Sequence, residues 1–378
     1  MACLIKAPDA SGKGCVSFTT PERDTLINKH TQVRAAVEAL KQRYLVGLHH
    51  NWHDHQFAYD PLFDFSMAGD GDLIESNGRP FARVPLDACN FSPACFSRAS
   101  ASEKFWDVLC TSRAVFFKGL LEFFQAIRAF YDRGHFIRVL HLCPVPPANA
   151  DGTHLHDIRQ RFEAIFSPQE RQWFTLMTME WDNPFPLDLE TLAFFYRASR
   201  VYVHSAPQER RARAAAYAWA SRMPVVSREN IASLLPKALR RRPFWFEFDK
   251  PEQMADAIAA AVGAAKDDPQ WDRVAGEFNS DQSSRRLEEA LDDITRKRRQ
   301  TMSRQLINAT GFDIRLGRHH DIGGGTNRVD QTLGEFCRVL LNLPDASMAK
   351  FAAVPDAETA LAESAKGADL RTRQGANA

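Results

Sequence analysis

Two cations, one hydroxyl and one carboxylate stand where short apolar runs give way to polar chain. Arg113 and Lys118 follow the run 105–110, and Ser205 and Glu209 follow the run 200–204. A cation pair near a helix start suits a diphosphate, whose negative charge grows as the bond to its leaving oxygen breaks. A carboxylate such as Glu209 accepts hydrogen bonds from hydroxyl groups. Arg210 and Arg211 come next and add two guanidinium groups able to grip phosphate. The structural alternatives are a first-turn carboxylate favoured by the helix dipole and a wetted arginine face.

Other clusters compete for a role. His49, His50, His53 and His55 lie within seven residues. Imidazoles at that spacing suit a transition metal, a substrate contact or a polar packed loop. No HExxH or Cys/His zinc spacing accompanies them. Asp70-Gly-Asp72 looks like a metal-binding acid pair, yet acids around a glycine arise readily in turns. The stretch 318–325 combines Arg318, two histidines and three glycines, either a surface loop or a source of amide donors. Basic runs at 237–242 and 296–299 read as solvated surface or as a footing on an anionic inner membrane face.

Correct placement of Arg113, Lys118, Ser205 and Glu209 requires strands that end beside one another. From 105 to about 265 the chain alternates strand runs (105–110, 136–145, 174–179, 200–204, 224–226, 244–248) with helical patterns (118–134, 155–166, 189–199, 209–222, and one opening at Pro251). Such alternation implies an α/β fold with a doubly wound, Rossmann-like parallel sheet. In such sheets ligands sit beyond the carboxyl ends of the strands, where all four residues fall. The flanks differ: 1–83 shows one clear helix at 31–44, and a charged helix covers 281–299. The expected division is a reduced N-terminal region 1–83, the Rossmann-like domain 84–280, a helical C-terminal extension 281–350 and a disordered tail 351–378.

The segment 192–226, LAFFYRASRVYVHSAPQERRARAAAYAWASRMPVV, resembles the donor-site signature of the retaining glycosyltransferase family 4, which has the GT-B fold. Ser205 stands at the strand end, Glu209 where the family has its first Glu, and Pro224 to Val226 close the motif. Ser112-Arg113-Ala-Val-Phe-Phe-Lys118-Gly119 is similar to the family's Arg and Lys five residues apart. The chain departs from the pattern at Tyr217, where the family has its ribose-binding second Glu, and at Arg210-Arg211-Ala212, where it has Gly-Phe-Gly. The resemblance covers roughly residues 84–265. It implies a GT-B-like donor domain in which Arg113 and Lys118, helped by Arg210 and Arg211, hold the diphosphate of a nucleotide-sugar. Glu209 would contact the sugar, and transfer to a glycan or lipid-linked acceptor would retain configuration, with no cofactor or metal. Surface polysaccharide synthesis is the implied setting. A relative that kept the fold and lost turnover is the competing expectation.

Composition sets outer bounds. Apolar residues make up 44% of the 378 and charged residues 25%, enough for a substantial core. A net charge of +1 argues against nucleic acid as partner. Seven scattered cysteines without a CxxC pair fit reduced thiols in the cytoplasm. The expectation is a cytoplasmic protein with at most peripheral contact with the membrane.

Overall fold

The computed structural model describes residues 3–49, 56–58, 60–68, 73–75, 82–98, 103–144, 153–179, 187–209, 211–264, 268–305, 307, 337, 340 and 341. They form two α/β layers. The first contains β1 (Cys3–Lys6), β2 (Gly14–Thr19), α1 (Thr20–Glu22), α2 (Thr31–Leu40), β3 (Tyr44–His49), β4 (Gln56–Ala58), β5 (Phe65–Met67), β6 (Leu73–Glu75) and β7 (Ala82–Val84). Its main sheet has the order β1-β2-β3-β5-β7, with only the β1–β2 pair antiparallel, while β4 and β6 pair separately.

β2 and β3 are buried along their whole length, as parallel strands covered on both faces must be. One face packs Val16, Phe18 and Val46 against Val33, Val37 and Leu40 of α2. Gly47 leaves the space that the Phe65 ring occupies.

The second layer holds β8 (Trp106–Thr111), α3 (Leu120–Asp132), β9 (Val139–Pro144), α4 (Thr153–Ile165), β10 (Phe174–Met179), α5 (Leu189–Arg197) and β11 (Ser199–Val203). It continues through α6 (Arg213–Ala220), β12 (Val225–Ser227), α7 (Glu229–Ala232), β13 (Trp245–Glu247), α8 (Pro251–Val262) and α9 (Trp271–Glu277). Its six strands are all parallel in the order β10-β9-β8-β11-β12-β13. α3, α4 and α8 cover one face, and α5, α6 and α9 the other. This is the doubly wound, Rossmann-like parallel sheet expected for the middle of the chain, and the smaller first layer adds a second α/β sheet. Five of the 27 phenylalanines form one cluster, where Phe123, Phe124, Phe162, Phe166 and Phe174 meet with centroid separations of 4.9 to 6.5 Å.

The charged helix near the C-terminus is α10 (Ser280–Lys297), and it covers the first layer rather than hanging free. Leu287, Leu291 and Ile294 pack on the face of that sheet formed by Ile5, Cys15 and Leu45. Lys6 Nζ donates to Glu288 at 2.7 Å, and Arg298 bonds both the carboxylate and the carbonyl of Asp64. Asp64 in turn accepts from the Val46 N–H at 2.8 Å, deep in the sheet. The sequence showed only one helix in 1–83 because five of these seven strands are only three or four residues long and half of their cover lies some 200 residues downstream.

Of the basic runs, Arg240 and Arg241 bond neighbouring carbonyls, Arg296 and Lys297 pair with Asp293, and Arg298 reaches Asp64. Among the described residues no helix is long and apolar enough to cross a membrane. The expected tail at 351–378 lies outside the described residues.

Because α10 completes the first layer, Leu291→Ala is expected to lower unfolding stability by about 2–5 kcal/mol, the usual cost of emptying a leucine site. Chemical denaturation measures it; a loss below about 1 kcal/mol would mean that the helix is an appendage.

Candidate functional site

The strand order reverses once. The chain lays β8, β9 and β10 outward, then returns to place β11 on the other side of β8. The crevice beyond the carboxyl ends of β8 and β11 is therefore where this topology opens room for a ligand. Two loops line it, one from Ser112 to Gly119 and one from His204 to Glu209.

The loops are pinned to each other through backbone. Gly119 has φ +72°, in the left-handed region, and any Cβ there would run into the carbonyl of Ser205. Ser205 Oγ donates to the Lys118 carbonyl at 2.8 Å. The pinning brings Lys118 Nζ to 2.6 Å from Glu209 Oε2, an ion pair whose side chains are 15% and 21% exposed. From the far side, Asn230 Nδ2 donates to the carbonyls of Glu209 at 2.7 Å and Pro207 at 3.3 Å.

That last contact corrects the expected helix 209–222. With its carbonyl taken by Asn230, Glu209 begins no helix; α6 starts at Arg213, and Glu209 sits in the preceding loop. Its carboxylate is consequently held by a cation and not by helix amides.

Two buried histidines stand at the same strand ends. His204 follows β11, with Nε2 3.7 Å from Glu209 Oε2 and no hydrogen-bond partner for that atom among the described residues. Burial pushes its pKa down to about 4; the Glu209 charge opposes that shift and Lys118 adds to it. His141 in β9 lies 2.9 Å from Ser112 Oγ through Nε2, and burial lowers its pKa to about 3. Both rings are neutral at pH 7.

The other sequence-derived candidates are distributed as follows. Arg113 is exposed on the β8 loop. Arg211 is buried, its Nε 3.7 Å from Asp87 Oδ2 in the linker between the layers. Arg210 lies outside the described residues. Tyr217 stacks on Phe96 with centroids 4.1 Å apart and planes at 15°. His49 ends β3 and is buried, while His50, His53, His55, Asp70, Asp72 and the stretch 318–325 lie outside the described residues. Among the described residues no group of three or more His, Cys, Asp or Glu is placed to hold a metal. Sequence reasoning passed over His204 and Asn230. For His204 the available signal was a histidine closing an apolar strand directly before Ser205.

No family profile matches the chain, and no curated protein matches its sequence. Among solved structures it is similar to OtsA in its apo form, with a TM-score of 0.46 and 12% identity over 73% of this chain and 78% of that one. It is also similar to a UDP-forming trehalose-phosphate synthase from Burkholderia xenovorans, with a TM-score of 0.45 and 16% identity over 68% and 72%. A third likeness is to the C-terminal domain of LpcC, a glycosyl transferase group 1 family protein from Francisella tularensis. There the TM-score is 0.34 and the identity 14%, over 54% of this chain and 97% of that domain.

The two histidines give a pH dependence with a defined sign. Their folded pKa values, about 4 and about 3, lie below the ordinary 6.5, so between these limits the unfolded chain binds more protons. Stability is full above about pH 6.5 and falls toward pH 4, by on the order of 3 kcal/mol per histidine. Equilibrium unfolding across that range should show the decline, and His141→Gln should flatten it. An identical slope in wild type and variant would show that His141 titrates normally inside the fold.

Proposed function

We propose that the chain is a glycosyltransferase that binds a nucleotide-sugar at the crevice between β8 and β11 and transfers the sugar to a hydroxyl of a glycan or lipid-linked acceptor. The observation that carries this reading is the Lys118–Glu209 pair, 2.6 Å long and half-buried at the switch point of a parallel sheet. Within the protein itself the two charges are paired with each other. A diphosphate entering beside Lys118 competes for the ammonium, and sugar hydroxyls compete for the carboxylate, so the two halves of the donor suit the two halves of the pair.

Arg113, exposed on its loop, adds a second cation to the diphosphate. Ser205 acts through backbone, fixing Lys118 and not touching the ligand. The positive charge stabilises the leaving diphosphate as the glycosidic bond lengthens. In a retaining reaction the acceptor hydroxyl attacks on the face of the departing phosphate, whose oxygen takes the proton, so no side-chain base is required. Cytoplasmic surface polysaccharide assembly, with peripheral contact with the inner membrane face, is the setting that fits a lipid-linked acceptor. The pair at the crevice needs no metal to hold the diphosphate.

A binding protein without turnover is the second reading. Tyr217 packs on Phe96 and Arg211 faces Asp87, so two positions that would serve the nucleotide are committed to the protein itself.

Thermal unfolding with UDP-glucose, GDP-mannose, UDP and GDP tests the donor site. A ligand at a hundred times its Kd adds about 2.7 kcal/mol. Lys118→Ala is expected to weaken that ligand at least about tenfold, the value of one charge-assisted hydrogen bond. Donor hydrolysis by the wild type, reduced about a hundredfold in Glu209→Ala, separates an enzyme from a binding protein. If none of the four nucleotides stabilises the wild type, the donor site is wrong.

A further inference from the structure

His204 has no place in the chemistry described so far, and its surroundings are unusual for a core histidine. The residue is 5% exposed, and its backbone N–H is used in the sheet, donating to the Val226 carbonyl at 2.9 Å. Its Nε2 is buried without a hydrogen-bond partner among the described residues. An unmet buried polar atom costs on the order of 1–3 kcal/mol, so the fold alone gives no reason to place one there. The atom lies 3.7 Å from Glu209 Oε2, too far for a hydrogen bond, and that same oxygen is the one Lys118 occupies at 2.6 Å.

We propose that His204 Nε2 and Glu209 Oε2 together bind one hydroxyl group of the donor sugar. This rests on the nucleotide-sugar reading of the site. The geometry is that of a triangle: an oxygen about 2.8 Å from each of two atoms 3.7 Å apart makes two ordinary hydrogen bonds. The hydroxyl donates its proton to the carboxylate and accepts from the imidazole N–H, so each partner uses the function it has. In its Nε2–H tautomer the neutral ring supplies an N–H without adding a charge that would pair with Glu209 and close the gap. Lys118, paired with that oxygen, releases it when its ammonium turns to the diphosphate. The sugar is thereby admitted only with its leaving group in place, and a monosaccharide lacking the diphosphate meets the closed ion pair. His204 is thus a specificity-determining residue for the sugar, with no part in holding the nucleotide.

Titration calorimetry with two ligand pairs, UDP-glucose against UDP and GDP-mannose against GDP, tests this. His204→Ala is expected to weaken the sugar-bearing ligand tenfold to a hundredfold and to change the bare diphosphate by less than about twofold. His204→Gln, which keeps an N–H donor, is expected to regain part of the loss. Wild-type protein supplies a check that does not depend on a variant folding: among UDP-glucose and GDP-mannose analogues deoxygenated one position at a time, removal of a single hydroxyl should cost at least about tenfold. Equal loss for both members of a pair in the variants would make His204 structural and overturn the proposal, as would unchanged affinity or wild-type indifference to every deoxygenation. A wild type that binds the bare diphosphates but neither sugar overturns the proposal and leaves a nucleotide site standing. A wild type that binds none of the four overturns the donor reading with it.

Discussion

The site depends on two loops that leave adjacent strands and are locked together by backbone. Gly119 must adopt a left-handed conformation for α3 to start where it does, and the absence of a Cβ lets Ser205 press against it. Ser205 then closes the contact by donating to the Lys118 carbonyl. Everything chemical follows from that close approach. A lysine 91 residues from a carboxylate in sequence is brought to 2.6 Å from it, and the sheet behind them, buried on both faces, leaves their backbone little freedom. A bulkier residue at 119 would separate the loops by the width of a methyl group and take the ion pair apart.

The two layers are not successive in sequence. The chain builds the first sheet, crosses through the linker, completes the second sheet, and returns along α10 to cover the first. Lys6 with Glu288 and Asp64 with Arg298 fasten that return. The linker is engaged on its way across: Asp87, buried and capping the short turn at Ala88–Asn90, faces Arg211 directly after the Glu209 loop. The residues that link the layers therefore also contact the loop that carries the carboxylate.

The second layer was legible because its signals are local: apolar strand runs, most of five residues or more, alternate with amphipathic helices, and a parallel sheet follows. Lys118, Ser205 and Glu209 were legible as residues following strands. What stayed hidden depended on distant parts of the chain. Five of the seven strands of the first layer are three or four residues long, and α10 supplies part of the sheet's cover from the other end of the sequence. The helix expected to begin at Glu209 begins four residues later because Asn230, from beyond β12, takes the carbonyl a helix would have used. Arg211 reads as a phosphate ligand beside Glu209, and its burial against Asp87 has no signature within either segment. His204 was visible only as the end of a strand, since nothing in its neighbours in sequence tells that its ring nitrogen would lack a partner.

The central claim is that the Lys118–Glu209 pair is the resting form of a donor site. A crystal structure with a bound nucleotide-sugar tests it most directly. The account predicts the diphosphate beyond the ends of β8 and β11, with an oxygen within hydrogen-bond distance of Lys118 Nζ and the carboxylate of Glu209 turned from the lysine to the sugar. A nucleotide bound elsewhere, or bound there with the Lys118–Glu209 pair intact, would contradict it.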